Sequence, residues 1–204
     1  GDWSSDVCSS DLDALNRCSI VIRIPAELQA EMAELQLQIR RRAGADLVRW
    51  TPSSELVLTL LSLGEIGVGQ MAQIAATLPT VVSAHPAFKL QLEGLGGSPN
   101  NLQPRVLWVG VAGDVLGLAQ LQQAIEHAVV PLVPHQEVRQ FQAQVPIGRL
   151  KQESEANRSA LGRAVRMAQI GGVGSLMVTS VELIRMAATT AGPTIVTVQS
   201  FALA

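Results

Sequence analysis

The chain is poor in the residues that build disulfide scaffolds and metal centres, with two cysteines and three histidines in 204 residues. Two cysteines make neither a disulfide framework nor a four-thiolate zinc site. Excess charge is also missing. Fifteen lysines and arginines stand against seventeen acids, a net charge of −2. That excludes the strongly basic footprint of an electrostatic nucleic-acid binder. No apolar run is long enough to cross a bilayer, and the N-terminus lacks the basic start and apolar centre of a signal peptide. The expectation is a cytoplasmic protein with no membrane partner. Phosphate-loop signatures are absent too. "GLGGS" and "GGVGS" have neither the Gly-Lys-Ser/Thr ending of such a loop nor the strand-then-helix setting of a dinucleotide fingerprint, and both read as turns.

What is present is a globular composition, 48% hydrophobic and 16% charged, in a chain long enough for one domain or two small lobes with a real core. The first twelve residues, "GDWSSDVCSSDL", stand apart. They resemble an in-frame translation of a short-read sequencing adapter, are polar and lack periodicity, and are expected to be a foreign tail. Residues 13–204 are expected to be one domain of two lobes. Without Asp2, Asp6 and Asp11 the balance becomes fifteen bases against fourteen acids. Without Cys8, Cys18 is the lone cysteine, expected as a small buried strand residue.

Along the chain, "RCSIVIRIP" (17–25) is β-branched and stopped by proline, so it predicts a strand. Leu28, Met32, Leu35 and Ile39 then recur at helical spacing, basic residues fill the last turn and Gly44 follows. "DLVRW" to "LVLTLLSLG" predicts one or two strands around a turn at Thr51-Pro52. Residues 66–78 predict a helix that Pro79 ends or kinks. "FKLQLEGL" alternates as a half-buried strand, "GGSPNNLQP" reads as a loop, and "RVLWVGV", apolar on both faces, as a more central strand. Residues 114–129 predict a helix with Leu118, Leu121 and Ile125 inward. An extended stretch to Lys151, a helix over 153–169 and two last strands, "SLMVTSVELI" and "PTIVTVQSFAL", complete the order. The unit helix, extended motif, helix occurs twice. The fold class is α+β with antiparallel sheets and helices on their outer faces.

Five blocks in order carry a resemblance: "RCSIVIRIP", "VRWTPSSELVLTLLSLGE" (48–65), "PRVLWVGV" (104–111), "FQAQVPIGRLK" (141–151) and "GPTIVTVQSFAL" (192–203). The chain resembles the two-histidine (2H) phosphoesterase superfamily, in particular the RNA 2′,3′-cyclic phosphodiesterases also labelled 2′-5′ RNA ligases. The resemblance runs from about Arg17 to Leu203. It implies two pseudo-symmetric lobes around a cleft, each contributing a His-x-Thr strand. On a strand the histidine and threonine share one face. One histidine serves as general base on water, the other as general acid on the leaving ribose oxygen. The threonines donate to the phosphate oxygens where charge develops. No metal or other cofactor is implied, and the protein is expected to be a monomer.

This sequence departs from that pattern. The first triplet is Val57-Leu58-Thr59 and the second Gln144-Val145-Pro146, with Ala143 in place of the proline that precedes the second histidine. Valine exchanges no proton, a glutamine amide hydrogen-bonds but does not shuttle protons at pH 7, and proline supplies neither hydroxyl nor N–H. No catalytic residue is intact. Thr59, Gln144 and Arg149 are the candidate phosphate-binding residues, Arg149 because it falls at the family's arginine after the second motif. A surface salt bridge at a strand end is the plain alternative for it. Arg23, Arg49 and the run Arg40-Arg41-Arg42 either extend a basic surface or serve solubility and helix-end complementation. His85 is expected on the surface at a helix-to-strand turn and His127 late on a helix facing solvent. His135, in "VPHQEV", is a competing second-motif histidine that would shift the register. Three functions stand open: a catalytically degenerate family member that binds RNA ends or phosphate-bearing nucleotides, an active phosphodiesterase with a non-standard site, and a structural or interaction module.

Overall fold

The computed structural model describes residues 15–204 apart from 45, 136, 138 and 169. The adapter-like segment lies outside the described residues. β1 (Asn16–Arg23) leads to α1 (Ala26–Ala43), β2 (Val48–Trp50), β3 (Val57–Ile66) and α2 (Val68–Ser83). β4 (Phe88–Ser98) and β5 (Val106–Gly113) pair antiparallel, followed by α3 (Val115–Val129), β6 (Gln144–Leu150) and α4 (Glu155–Met167). β7 (Gly172–Val178), β8 (Ser180–Thr189) and β9 (Gly192–Ala202) close the chain. Two antiparallel sheets result, ordered β3-β1-β8-β9 and β2-β6-β5-β4-β7.

The helices form where the apolar spacing put them. On α1 Leu28, Met32, Leu35 and Ile39 are buried, the three arginines occupy the last turn, and Gly44 ends the helix with φ 107°, its N–H donating to Arg40 O. That angle favours glycine. Leu118, Leu121 and Ile125 of α3 point inward as expected. β5 is the central strand of its sheet, and Phe88, Leu90 and Leu92 of β4 are buried between exposed neighbours.

Four expectations are corrected. Pro79 does not end α2, which continues to Ser83. Its ring is exposed while Ile74, Leu78 and Val82 keep one buried stripe, so the helix carries the lost N–H on its solvent side. "SLMVTSVELI" is two strands. Val178 pairs with Phe88 in one sheet and Ser180 with Ala202 in the other, so the chain changes sheets at Thr179. "GLGGS" belongs to β4: Gly94, at φ 76°, bulges the strand, and Gly96 lies directly under the Trp108 ring, where any Cβ would collide. "GGVGS" runs into β7, paired along β4. In these two stretches glycine marks a bulge and a close approach rather than a turn. The Thr51-Pro52 turn likewise carries the chain between sheets, since β2 and β3 belong to different ones. No described helix is long and apolar enough to cross a membrane.

Candidate functional site

The two motif strands are built alike. β3 pairs with β1 so that Thr59 faces Val21 and Leu61 faces Ile20, which leaves Leu60 as a bulge residue. β6 pairs with β5 so that Pro146 faces Trp108 and Gly148 faces Leu107, which leaves Ile147 as a bulge residue. The bulge therefore falls one residue after each triplet. A buried glutamine supports each. Gln36 of α1 donates through Nε2 to Ile147 O at 2.8 Å and to Thr51 O at 2.9 Å. Gln122 of α3 donates to Leu60 O at 3.3 Å and to Glu126 Oε2 at 2.6 Å. A buried carbonyl needs such a partner, and bulges re-aim side chains beside functional sites. Both glutamines were invisible in the sequence. Only their position on otherwise apolar helix faces, beside Leu35 and Leu121, could have flagged them.

Between the sheets lies a cleft of about 290 Å³. Thr59 lines it with Ser19 and Ser62 from one sheet, and Gln144 and Pro146 face them from the other. The remaining wall is the irregular segment before β6: Arg139, Gln140, Phe141 and Gln142. Thus the structure brings Thr59 together with Gln144 and Pro146, which lie 85 and 87 residues further along the sequence. Larger concavities elsewhere, such as the one along His127 and Pro131, share none of these lining residues.

Val57 sits two residues before Thr59 on β3, opposite Arg23 of β1, and is not part of the cleft lining. Arg23 is fully engaged. Its Nη2 lies 2.9 Å from Glu182 Oε2, its Nε donates to the same oxygen at 3.0 Å, and further bonds run to Thr197 Oγ1 and Ser54 O. It is a neutralised strut rather than a free cation. Arg149 shares the face of β6 with Pro146 beyond the bulge, but it stands outside the cleft lining. It is exposed, directly opposite Arg49 of β2. Neither has an acidic partner among the described residues, so the salt-bridge alternative for Arg149 is not what the structure contains. Two like charges facing each other across strands repel, which makes the pair receptive to an anion.

The histidines are elsewhere. His85 is half-buried at the turn after α2, His127 is exposed in the last turn of α3, and His135 is exposed in a turn before the cleft wall. None lines the cleft. Cys18 is buried on the core face of β1, where desolvation pushes its thiol up to about 11 against a smaller opposing effect of Arg185. The cleft offers hydroxyls, amides and one guanidinium. Groups of these kinds can hydrogen-bond an anion, and none of them exchanges protons near neutrality.

Residues 22–108 match the family described as LigT like phosphoesterase. The RNA 2′,3′-cyclic phosphodiesterase of Aeropyrum pernix is 30% identical over 136 residues, covering 67% of this chain and 75% of its own. That of Methanothermobacter thermautotrophicus is 28% identical over 156 residues, covering 76% and 83%. Among solved structures, TT0787 of Thermus thermophilus superposes with a TM-score of 0.73 at 22% identity over 91% of this chain and 97% of that one. LigT of E. coli complexed with 3′-AMP does so with 0.72 at 20% identity over 94% and 99%.

Proposed function

The chain belongs to the RNA 2′,3′-cyclic phosphodiesterase family of LigT-like phosphoesterases, and from that premise we propose that it binds phosphate-bearing RNA ends or nucleotides in its cleft without hydrolysing them. The observation that carries this reading is the pairing of Thr59 and Gln144 in one cleft, on equivalently bulged strands, with no histidine in the wall. The first triplet keeps its hydroxyl and the second keeps an amide. Both donate to a phosphate oxygen, and neither takes a proton from water nor gives one to a leaving ribose oxygen. Arg139 supplies charge at the wall. Arg149, with Arg49 opposite, supplies it farther along the same sheet face, where incoming phosphates would be attracted.

Loss of acid and base accounts for roughly 10²–10⁴-fold each, so the expected turnover is at background. The test is incubation of purified protein with an RNA oligonucleotide ending in a 2′,3′-cyclic phosphate, beside calorimetric titration with 2′-AMP. Binding without product is expected. Turnover well above the buffer rate would refute the reading, and no binding of any phosphate would leave the protein as a scaffold or interaction module.

A further inference from the structure

The helices over the two sheets differ in a way that core packing does not require. α1 and α4 cover the sheet ordered β2-β6-β5-β4-β7, and α2 and α3 cover the other. α1 carries three glutamates and three arginines, and α4 adds Glu155, Arg158, Arg163 and Arg166. α2 carries no charged residue along its 16 positions. α3 has only Glu126, which accepts from Gln122, beside His127. β9 packs against α2 at the open edge of its sheet and has no charged residue either. Large apolar side chains stand out from the helix pair instead: Val68, Val115 and Leu116 are 41%, 49% and 68% exposed. Depletion of charge, more than apolarity, is what distinguishes a protein–protein interface from the rest of a surface.

We infer that the outer face of α2, α3 and β9 binds a second copy of this chain about a two-fold axis running along the helices. α2 and α3 run antiparallel: Gln70, in the first turn of α2, donates to Leu132 O just past the end of α3. The start of α3, where Val115 and Leu116 project, therefore lies beside the end of α2. α3 sits over β3 and α2 over β8 and β9. On the β9 side of the end of α2 is a hollow of about 460 Å³, lined by Pro79, Thr80 and Ser83 of the helix and Gln199 and Ser200 of the strand. A two-fold axis parallel to the helices exchanges the two sides of the face and keeps its ends. The Leu116 knob of each copy then meets the α2–β9 hollow of the other. Such a contact is isologous and closes at two copies. A neutral face offers no charge for a different partner to complement, whereas its own knob and hollow complement each other. Helices of 16 and 15 residues side by side span roughly 24 Å by 20 Å. With β9 the face is on the order of the 800 Å² per partner that a stable dimer buries. Both clefts stay open, because they lie on the opposite face of the sheet, and the inference is independent of what the cleft binds.

The experiment is sedimentation velocity on the full chain across a dilution series, with Leu116→Lys, Thr80→Glu, the two combined, and Leu102→Lys. Leu116 and Thr80 are exposed, so the substitutions spare the fold, and an unchanged Tm checks this. Leu102 is 63% exposed beside Gly162 of α4 and is the control away from this face. The parent should sediment as a dimer that dissociates on dilution. Each single charge on the face should weaken association by at least about tenfold, since a charge left unpaired in an interface is costly. In the combined variant the two charges meet as opposites across the two-fold, and most of the lost affinity should return. Leu102→Lys should match the parent. A parent that stays monomeric at the highest concentration overturns the inference. So does a dimer that Leu116→Lys leaves intact, or one that Leu102→Lys weakens as much. Failure of the combined variant to recover overturns the two-fold pairing of knob and hollow.

Discussion

β3 and β6 carry the same device in opposite sheets and diverge on one face only. Each is bulged one residue past its triplet, and each bulge carbonyl accepts from a buried glutamine of a covering helix. Each also turns a closed apolar face to the core, Leu58 and Leu63 on β3, Val145 and Ile147 on β6. On the cleft face β3 keeps Thr59 beside Val57, whereas β6 presents Gln144 and Pro146. The difference follows from how each strand is bordered. β2 reaches only as far as Gly148, so along Gln144–Pro146 β6 has a ladder neighbour on one side, a place where proline is tolerated. Core packing and backbone pairing fix where the strands lie, and the cleft face can change its chemistry without disturbing either.

The largest expected effect comes from restoring that face. Val57→His, Gln144→His and Pro146→Thr together supply both proton-transfer groups and the second hydroxyl. With each of acid and base contributing about 10²–10⁴-fold, hydrolysis of a 2′,3′-cyclic-phosphate-ended RNA should rise by at least about 10⁴ in kcat/KM. Either histidine alone should recover no more than the share of one group. A single-histidine variant as active as the triple one would show that the two strands do not work as a pair.

Next in size is the support beneath the bulges. Gln36→Leu and Gln122→Leu keep volume but remove buried amide donors, leaving Ile147 O with the Thr51 N–H, at a cost of about 0.5–1.5 kcal/mol per hydrogen bond lost. Gln36 makes two bonds, at 2.8 and 2.9 Å, that tie β6 to the crossover at Thr51, and Gln122 makes one to the bulge at 3.3 Å. Urea denaturation should therefore place Gln36→Leu below Gln122→Leu in stability. The reverse order would mean that the β3 bulge, not the β6 bulge, is the one its helix holds in place.

Elements with a clean period were legible in the sequence: α1, α3 and the alternating start of β4 fell where Leu28, Leu118 and Phe88 placed them. So was the family, because five blocks kept their order. What misled was local chemistry read without its partner. Gly96 is a strand residue only because Trp108 lies over it. Thr179 divides two strands only because Val178 and Ser180 find different sheets. Pro79 stays helical because the packing of Leu78 and Val82 outweighs one missing hydrogen bond. At the cleft, the union of Thr59 with Gln144 was readable from the motif pattern. The wall at 139–142 was not, since "RQFQ" has no period and its meaning comes from facing Thr59 across a gap. Arg149 fell on the expected face yet outside the cleft wall, and the engagement of Arg23 by Glu182 rests on a contact between residues 159 positions apart.

Two further tests divide β1 by its faces. Toward the core, Cys18 has its thiol pushed up from 9.0 to about 11 by burial. A group raised in this way contributes fully below its unfolded value, and the contribution is lost as pH rises toward the folded one. Unfolding free energy should hold steady below about pH 9 and fall between about 9 and 11, by up to about 2 kcal/mol. Cys18→Ala, compared with the parent by denaturation across that range, should lack this component of the slope. Parallel profiles for the two proteins would remove the thiol from the account.

Toward the cleft, the smallest effect concerns whether the charge at the Val57 end is spent or available. Glu182 is 17% exposed and Arg23 31% exposed at the side chain, so Glu182→Gln should change stability by no more than about 1 kcal/mol. It does change the field. The guanidinium keeps its bonds to Thr197 Oγ1 and Ser54 O but loses its counter-charge, leaving an uncompensated cation opposite position 57. Affinity for inorganic phosphate, measured by competition against 2′-AMP at low salt, should rise roughly two- to fivefold and return toward the parent value as salt is raised. The same gain at high salt would mean a direct contact from Arg23 rather than a field. No gain would place the attraction for phosphate on the β6 side alone, at Arg139 and the Arg49–Arg149 pair, and would make the β3 side a hydrogen-bonding wall whose one cation is structural.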